Sequence, residues 1–171
     1  MGILDGKQLL ITGVLTDASI AFAVARLAQE EGAELILTGA GRGLSLTKRT
    51  AQKLPVKPEV LEFDVTSTEQ ADALREHLSA HWGNVDGALH AIGFAPEVCL
   101  GEDFMAPTWD DVAVAMQISA YSLKTLAEVV APLMDKGGSI VGLDFDARYA
   151  WPAYNWMGVA KAALESASRY L

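Results

Sequence analysis

Leu9-Leu10-Ile11-Thr12-Gly13-Val14-Leu15-Thr16-Asp17-Ala18-Ser19-Ile20-Ala21 carries the decision about the fold. Leu9–Thr12 is a compact apolar run that ends at Gly13, which reads as a buried first strand. Ser19 then opens a helix whose Ile20, Val24, Leu27 and Ala28 share one apolar face, closed by Gly32. Between the two, Gly13 allows a tight turn, Ser19 can cap the helix, and small Ala21 allows close helix–strand packing. The unpartnered amides of that helix terminus suit a pyrophosphate. Ser19 and Ala21 stand where the G-x-G-x-x-G fingerprint has glycines, so this loop alone is equally an ordinary strand-to-helix turn with a serine cap.

The alternation continues along the chain. Leu35–Leu37 is a second strand ending at Thr38-Gly39, and a short polar helix is expected over Ser45–Leu54, stopped by Pro55. Val60–Phe63 is a third strand with Asp64 at its carboxyl end. Ser67 and Gln70 have capping-box spacing ahead of a helical face of Ala71, Leu74 and Leu78. Gly87–Ile92 is a fourth strand, followed by helical pattern from Trp109 to Met134 with a bend near Ser119–Ser122. Ser139–Leu143 is a fifth strand, and Tyr154–Leu171 a final helix. Successive β-α units predict an α/β fold, a doubly wound parallel sheet of Rossmann type with right-handed crossovers. Such sheets bind ligands outside the carboxyl ends of their strands. That directs attention to Gly13–Ser19, Gly39–Arg42, Asp64-Val65, Ile92-Gly93 and Asp144–Tyr154.

At 171 residues, 51% hydrophobic and 20% charged, the chain suits one globular domain rather than a disordered segment. Its net charge of −9 argues against a non-specific nucleic-acid surface, whereas backbone amides can meet nucleotide phosphates even on an acidic protein. The start lacks the charged region and apolar run of a signal peptide, and no segment offers the roughly 18 apolar residues that span a membrane. Gly6 stands where a myristoylation signal needs Ser or Thr. A lone Cys99 forms no internal disulfide and no Cys-x-x-Cys site, so a cytoplasmic address is expected.

Phe145, Tyr154 and Lys161 form the most informative constellation. Tyr154 and Lys161 are seven residues apart, close to two helical turns, so their side chains face one way. Phe145 lies nine residues before Tyr154, just beyond the fifth strand. A tyrosine and lysine held at strand ends can set a phenol against a substrate oxygen and an ammonium near a ribose. The nearby positive charge strengthens the phenol as a donor. Taken alone, such a pair is more often a solvated helix face; its place after the fifth strand, behind a nucleotide-type loop, singles it out.

The stretches Ile11–Phe22, Ile118–Ser122, Gly138–Asp146 and Pro152–Met157, with Val159-Ala160-Lys161 and Ala163–Ser166, resemble the mycobacterial-type NADH-dependent enoyl-acyl-carrier-protein reductases. These are divergent members of the short-chain dehydrogenase/reductase superfamily, and the resemblance runs the length of the chain. Tyr-x6-Lys is the spacing of those enoyl reductases, against Tyr-x3-Lys in ordinary short-chain dehydrogenases. The resemblance implies reduction of the double bond of trans-2-enoyl thioesters, carried on acyl carrier protein or coenzyme A, by hydride transfer from NADH in fatty-acid elongation. It implies that Gly13, Ser19 and Ile20 meet the cofactor phosphates, Ala40, Asp64 and Val65 the adenine side, and Ile92 and Gly93 the adenosine ribose side. Lys161 would hold the nicotinamide ribose, Tyr154 the thioester carbonyl oxygen, and Phe145 the space beside the nicotinamide. Trp151, Pro152, Ala153 and Met157 would line the acyl chain, although core packing is nearly as good a reading of Met157. A homotetramer is implied for the complete protein.

Three departures accompany the resemblance. Ala40 stands where the family has a phenylalanine that stacks on adenine, and Arg42 could meet a 2′-phosphate, which leaves NADPH open beside NADH. Ala91 replaces a serine near the pyrophosphate, and both changes predict weaker NADH binding. The family also continues past Leu171 with further strands, a loop over the nicotinamide and a helical lid, while the last helix here stops in mid-pattern without a C-cap. The expectation is therefore a single dinucleotide-binding and catalytic domain over 1–171, C-terminally incomplete with later strands missing, and without turnover in isolation.

Other signals carry less. His77 and His81 are four apart, but no Cys or acidic partner in the sequence completes a metal site with them, so no metal is expected. His90 reads as a structural histidine at the end of the fourth strand. Gly138-Ser139 lacks the hydrolase elbow, and Glu30-Glu31 and Asp110-Asp111 read as surface and helix-start charge. Alternatives to the enoyl reductase are a carbonyl-reducing short-chain dehydrogenase and a non-catalytic dinucleotide-binding fragment.

Overall fold

The computed structural model describes residues 2–171. Its five strands are β1 (Gln8–Thr12), β2 (Glu34–Gly39), β3 (Glu59–Glu62), β4 (Gly87–His90) and β5 (Ser139–Gly142). They form one sheet in the order β3-β2-β1-β4-β5, with parallel registers recorded for β1 with β2, β1 with β4 and β2 with β3. The chain winds outward from β1 to β3, then returns to the other side of β1 for β4. This is the doubly wound α/β arrangement expected, and its order reverses between β1 and β4. The central strands are buried on both faces, with Leu10, Ile11, Ile36 and Leu37 almost fully inaccessible.

Among the described residues there are six α-helices: α1 (Ile20–Glu30), α2 (Gly41–Ala51), α3 (Thr68–His81), α4 (Trp109–Met116), α5 (Ser122–Val130) and α6 (Asn155–Tyr170). A five-residue π-helical turn, Gln117–Tyr121, joins α4 to α5 at the expected bend. Among the described residues no helix is long and apolar enough to cross a membrane.

Three local expectations are corrected. The apolar stripe of α1 does not face the core: Ile20 and Leu27 are exposed and Val24 is partly so, while Ala21, Phe22, Ala25 and Ala28 are buried. The inward face is made of three alanines and Phe22. Helix α2 begins at Gly41, not Ser45, directly after an N-cap at Ala40 that offers no side-chain acceptor. At α3 the box is half made. The Ser67 side chain accepts from the Gln70 N–H at 3.2 Å, but Gln70 Oε1 accepts from the Asp64 N–H at 2.7 Å and so fastens the end of β3.

By packing, the chain forms two compact units. One runs up to Ala91 and takes in Ala127–Val141; the other comprises Ile92–Leu126 and Gly142–Leu171. In the second unit Ala95, Cys99, Val112 and Ala115 form a small core with Met116, Trp156 and Met157 against it. Burial is the leading cause that pushes the Cys99 thiol above its ordinary range.

Two devices organise the first unit. At the amino-terminal strand ends, the Asp86 carboxylate takes Lys7 Nζ at 2.9 Å and the Gln8 N–H at 3.0 Å, while its backbone carbonyl accepts from Ser139 N at 3.2 Å. One residue thus fastens the starts of β1, β4 and β5. At the opposite ends, Thr12 Oγ1 donates to Leu89 O at 2.9 Å and accepts from Ala91 N at 2.8 Å. There Gly13 has φ of 79°, and a Cβ on it would stand 2.1 Å from Ala91 O. No side chain fits.

Burial works to raise the Asp86 pKa, but the bonds from Lys7 and Gln8 outweigh it and hold the carboxyl below its ordinary value. A depressed folded-state pKa gives stability that is present above the unfolded value and lost as pH falls through the folded one. Asp86→Asn is therefore expected to cost about 2 kcal/mol near neutrality. The gap to the wild type should shrink as pH falls below about 4. Urea denaturation of both proteins across pH checks this. Gly13→Ala is expected to cost at least about 3 kcal/mol, since left-handed strain adds to a main-chain clash. Thermal melts that leave Gly13→Ala equal to the wild type would contradict the close approach.

Candidate functional site

In the first unit the site begins where β1 ends. Ser19, in extended conformation, caps α1: its Oγ accepts from Phe22 N at 3.2 Å and donates to Thr16 O at 2.7 Å. The hydroxyl thereby closes the loop while the next amides, on Ile20 and Ala21, have no carbonyl one turn back within the helix. Helix α2 and the residues just past its end brace the same loop. Thr50 Oγ1 donates to Leu15 O at 2.9 Å, and Lys53 pairs with Asp17 at 2.5 Å, which with its hydrogen bond lowers the Asp17 pKa.

Beside this loop, Gly39 closes β2 so tightly that a Cβ would sit 2.9 Å from Leu44 Cα. Ala40 follows as the α2 cap and Arg42 falls in the first turn of that helix. Past β3, Asp64 Oδ1 accepts from both Thr66 N (2.9 Å) and Thr66 Oγ1 (2.7 Å), a local turn that leaves Val65 at its apex. His90 is fully buried at the end of β4. His77 and His81 each face a carboxylate that the sequence did not pair with them. His77 Nε2 lies 2.9 Å from Glu59 and His81 Nε2 3.5 Å from Glu34.

The second unit carries the Phe145–Tyr154–Lys161 constellation. Tyr154 is the N-cap of α6 and not a residue of its body, and its carbonyl accepts from Gly158 N at 3.2 Å. Its ring stacks on Phe145 with centroids 4.0 Å apart. Lys161, two turns on, has different surroundings: it is 7% exposed against 41% for Tyr154. Its Nζ donates to Leu143 O at 3.1 Å and to Ile92 O at 3.4 Å. Burial pushes the Lys161 ammonium below the ordinary lysine range, and the Asp144 carboxylate draws it partway back. The Gly93 backbone lies over the ammonium, for a Cβ at Gly93 would stand 3.6 Å from Nζ. An ammonium has three donors, so two carbonyl partners leave one N–H for a further acceptor.

Phe145, Trp151, Pro152, Ala153 and Tyr154 line an open cleft of about 530 Å³, which Phe104, Arg148 and Val159 also wall. Met157 is not in that wall; it packs on the small core of the second unit. The backbone around Tyr154 is strained, since Ala153 and Asn155 have φ of 69° and 45°. A loop the sequence did not flag holds it in place. Gly101 N donates to Ala153 O at 3.0 Å, Asn155 Nδ2 to Asp103 O at 3.0 Å, and Trp156 Nε1 to Phe104 O at 3.1 Å. Phe104 also stacks on Trp156 at 4.7 Å. The only sequence signal for this loop is its cluster of Gly, Asp and aromatic residues ahead of Pro107.

Comparison with known proteins bears on this arrangement. Residues 13–171 match the family model described as Enoyl-(Acyl carrier protein) reductase. Over 99% of the chain it is 48% identical to an enoyl-acyl-carrier-protein reductase (NADH) of Mycolicibacterium smegmatis and 44% identical to one of Mycobacterium avium. A corresponding enzyme of Neisseria meningitidis is 38% identical over 99% of the chain. The chain spans 64% of the length of each of the two mycobacterial relatives and 66% of the third. The doubly wound sheet, the capped loop after β1 and the Tyr154–Lys161 spacing are thus accompanied by a match over almost the whole sequence, and the chain belongs to the enoyl-(acyl carrier protein) reductase family.

Proposed function

We propose that the protein to which this chain belongs reduces trans-2-enoyl thioesters with NADH, acyl carrier protein or coenzyme A carrying the acyl group. The observation that carries the reading is the Phe145–Tyr154 stack in the wall of the cleft, because it sets a phenol at a position where a thioester oxygen can reach it. NADH, when bound, would supply hydride to the β-carbon of the enoyl group, and uptake of one proton at the α-carbon completes the saturated thioester. The rest falls to the chain. Tyr154 donates a hydrogen bond to the carbonyl oxygen as negative charge builds there, which lowers the barrier through an oxyanion-type contact. Phe145 limits how the phenol can turn and gives the site an apolar wall.

Lys161 holds the ribose hydroxyls through its remaining N–H, and its carbonyl partners fix where that donor points. In the first unit, the amides after Ser19 meet the phosphates, assisted by the helix dipole, and Gly13 lets the backbone come close. Ala40, Asp64 and Val65 take the adenine side, with Ile92 and Gly93 toward the adenosine ribose. Ala40 offers less surface than an aromatic ring would, which favours looser cofactor binding. Trp151, Pro152 and Ala153 receive the acyl chain. The relatives named as NADH enzymes support the choice of NADH over NADPH, in spite of Arg42. We propose a tetrameric assembly and a cytoplasmic setting for the whole protein.

NADH titration of the chain tests the cofactor half of this reading, and Lys161→Ala is expected to weaken binding by at least about tenfold. For turnover, the chain replaces the matching stretch of the Mycolicibacterium smegmatis relative. The chimera should oxidise NADH with a trans-2-enoyl thioester and ignore a 3-ketoacyl thioester. Tyr154→Phe in that chimera is expected to lower kcat about a hundredfold with little change in KM. Reduction of the ketone instead would turn the assignment to a carbonyl reductase.

A further inference from the structure

We infer that Ser119 is a positioning residue for Lys161, acting through the Ile92–Gly93–Phe94 backbone. This rests on the ribose-binding role proposed for that lysine.

Ser119 is fully buried, in the middle of the π-helical turn Gln117–Tyr121. Its hydroxyl accepts from Phe94 N at 2.8 Å and donates to Phe94 O at 2.7 Å. A serine hydroxyl has a single donor, and here it and a lone pair close on both ends of one residue. Phe94 therefore cannot slide or rotate without breaking one of the two bonds. Two residues earlier, Ile92 O accepts from Lys161 Nζ at 3.4 Å. Between them, a Cβ on Gly93 would meet Lys161 Nζ at 3.6 Å and Ser119 Oγ at 3.9 Å, so the three groups converge on one peptide. The ammonium is thus held on one side by Leu143 O and on the other by a strip whose place Ser119 sets.

The π turn explains how a helix delivers that hydroxyl. A wider turn fits an extra residue into the helix and changes the direction in which the residues around it point; such turns recur at functional sites. Ser122, in the same stretch, shows the contrast. It too is fully buried, but its Oγ donates to Ile118 O at 2.6 Å within its own helical run.

The test labels lysines by reductive methylation and reads each site by mass spectrometry, with exposed Lys48 as internal reference. Ser119→Ala is expected to raise labelling of Lys161 about fivefold, the equivalent of one net hydrogen bond. Ser119→Thr, which keeps the hydroxyl, should restore it, and Ser122→Ala should leave it unchanged. If Ser119→Ala does not fold, Ser119→Cys, of similar size with a weakly bonding thiol, carries the same expectation. In NADH titrations Ser119→Ala should weaken binding about fivefold in the wild type and not at all in Lys161→Ala, a coupling that a merely structural role would not give. Unchanged labelling in a folded variant, an equal change in Ser122→Ala, or additive losses in the cycle would overturn the inference. A wild type that binds no NADH would sink the proposed function and leave the labelling to decide on Ser119.

Discussion

The carboxyl ends of β1 and β4 approach so closely that position 13 has no room for a side chain, and most of the first unit's site geometry follows from that approach. The Cβ that Gly13 lacks would overlap Ala91 O, while the neighbouring Thr12 hydroxyl spans Leu89 O and Ala91 N. With the two strand ends joined, the chain leaves β1 in a turn that only a left-handed residue can begin. That turn sets where Ser19 caps α1 and therefore where the first helical amides point. Thr50 of α2 and Lys53, just past its end, brace the same loop. The loop is short of glycines because polar side chains, and not glycine freedom, fix its path after the first residue.

The second unit solves a different problem, that of keeping a charge in a buried place. Lys161 is nearly inaccessible, which disfavours its ammonium, and the chain compensates with two backbone carbonyls and the Asp144 carboxylate. Around Tyr154 the compensation is of another kind. Left-handed Ala153 and Asn155 are costly conformations, retained because Gly101, Asp103 and Phe104 bond to that turn. The site is therefore held by its loops as much as by α6.

The strand runs, the caps at Ser19 and Ser67, and the bend at Ser119–Ser122 were legible because each is a local pattern: an apolar run, a hydroxyl before a helix, a break in periodicity. The Tyr154–Lys161 pair was legible from its spacing together with its place after the fifth strand, though its unequal burial was not. What escaped depends on contacts distant in sequence. Nothing in the α1 pattern says that Ala21, Phe22 and Ala25 rather than Ile20, Val24 and Leu27 face inward. The early start of α2 was hidden by glycines that usually end helices. The Gln70 side chain joins the Asp64 amide and not the Ser67 amide, and Glu59 and Glu34 join His77 and His81, only because folding brings β3 and β2 beside α3.

Those last pairs belong to a rim. Glu34 begins β2, Glu59 begins β3, Lys7 and Gln8 begin β1, and Asp86 stands at the start of β4 while it holds Ser139 of β5. Each described strand is thus moored by a polar contact at its amino end, while at the carboxyl end of β1 the tie is the Thr12 hydroxyl. A library confined to the loops after the strands therefore leaves that row of moorings in place.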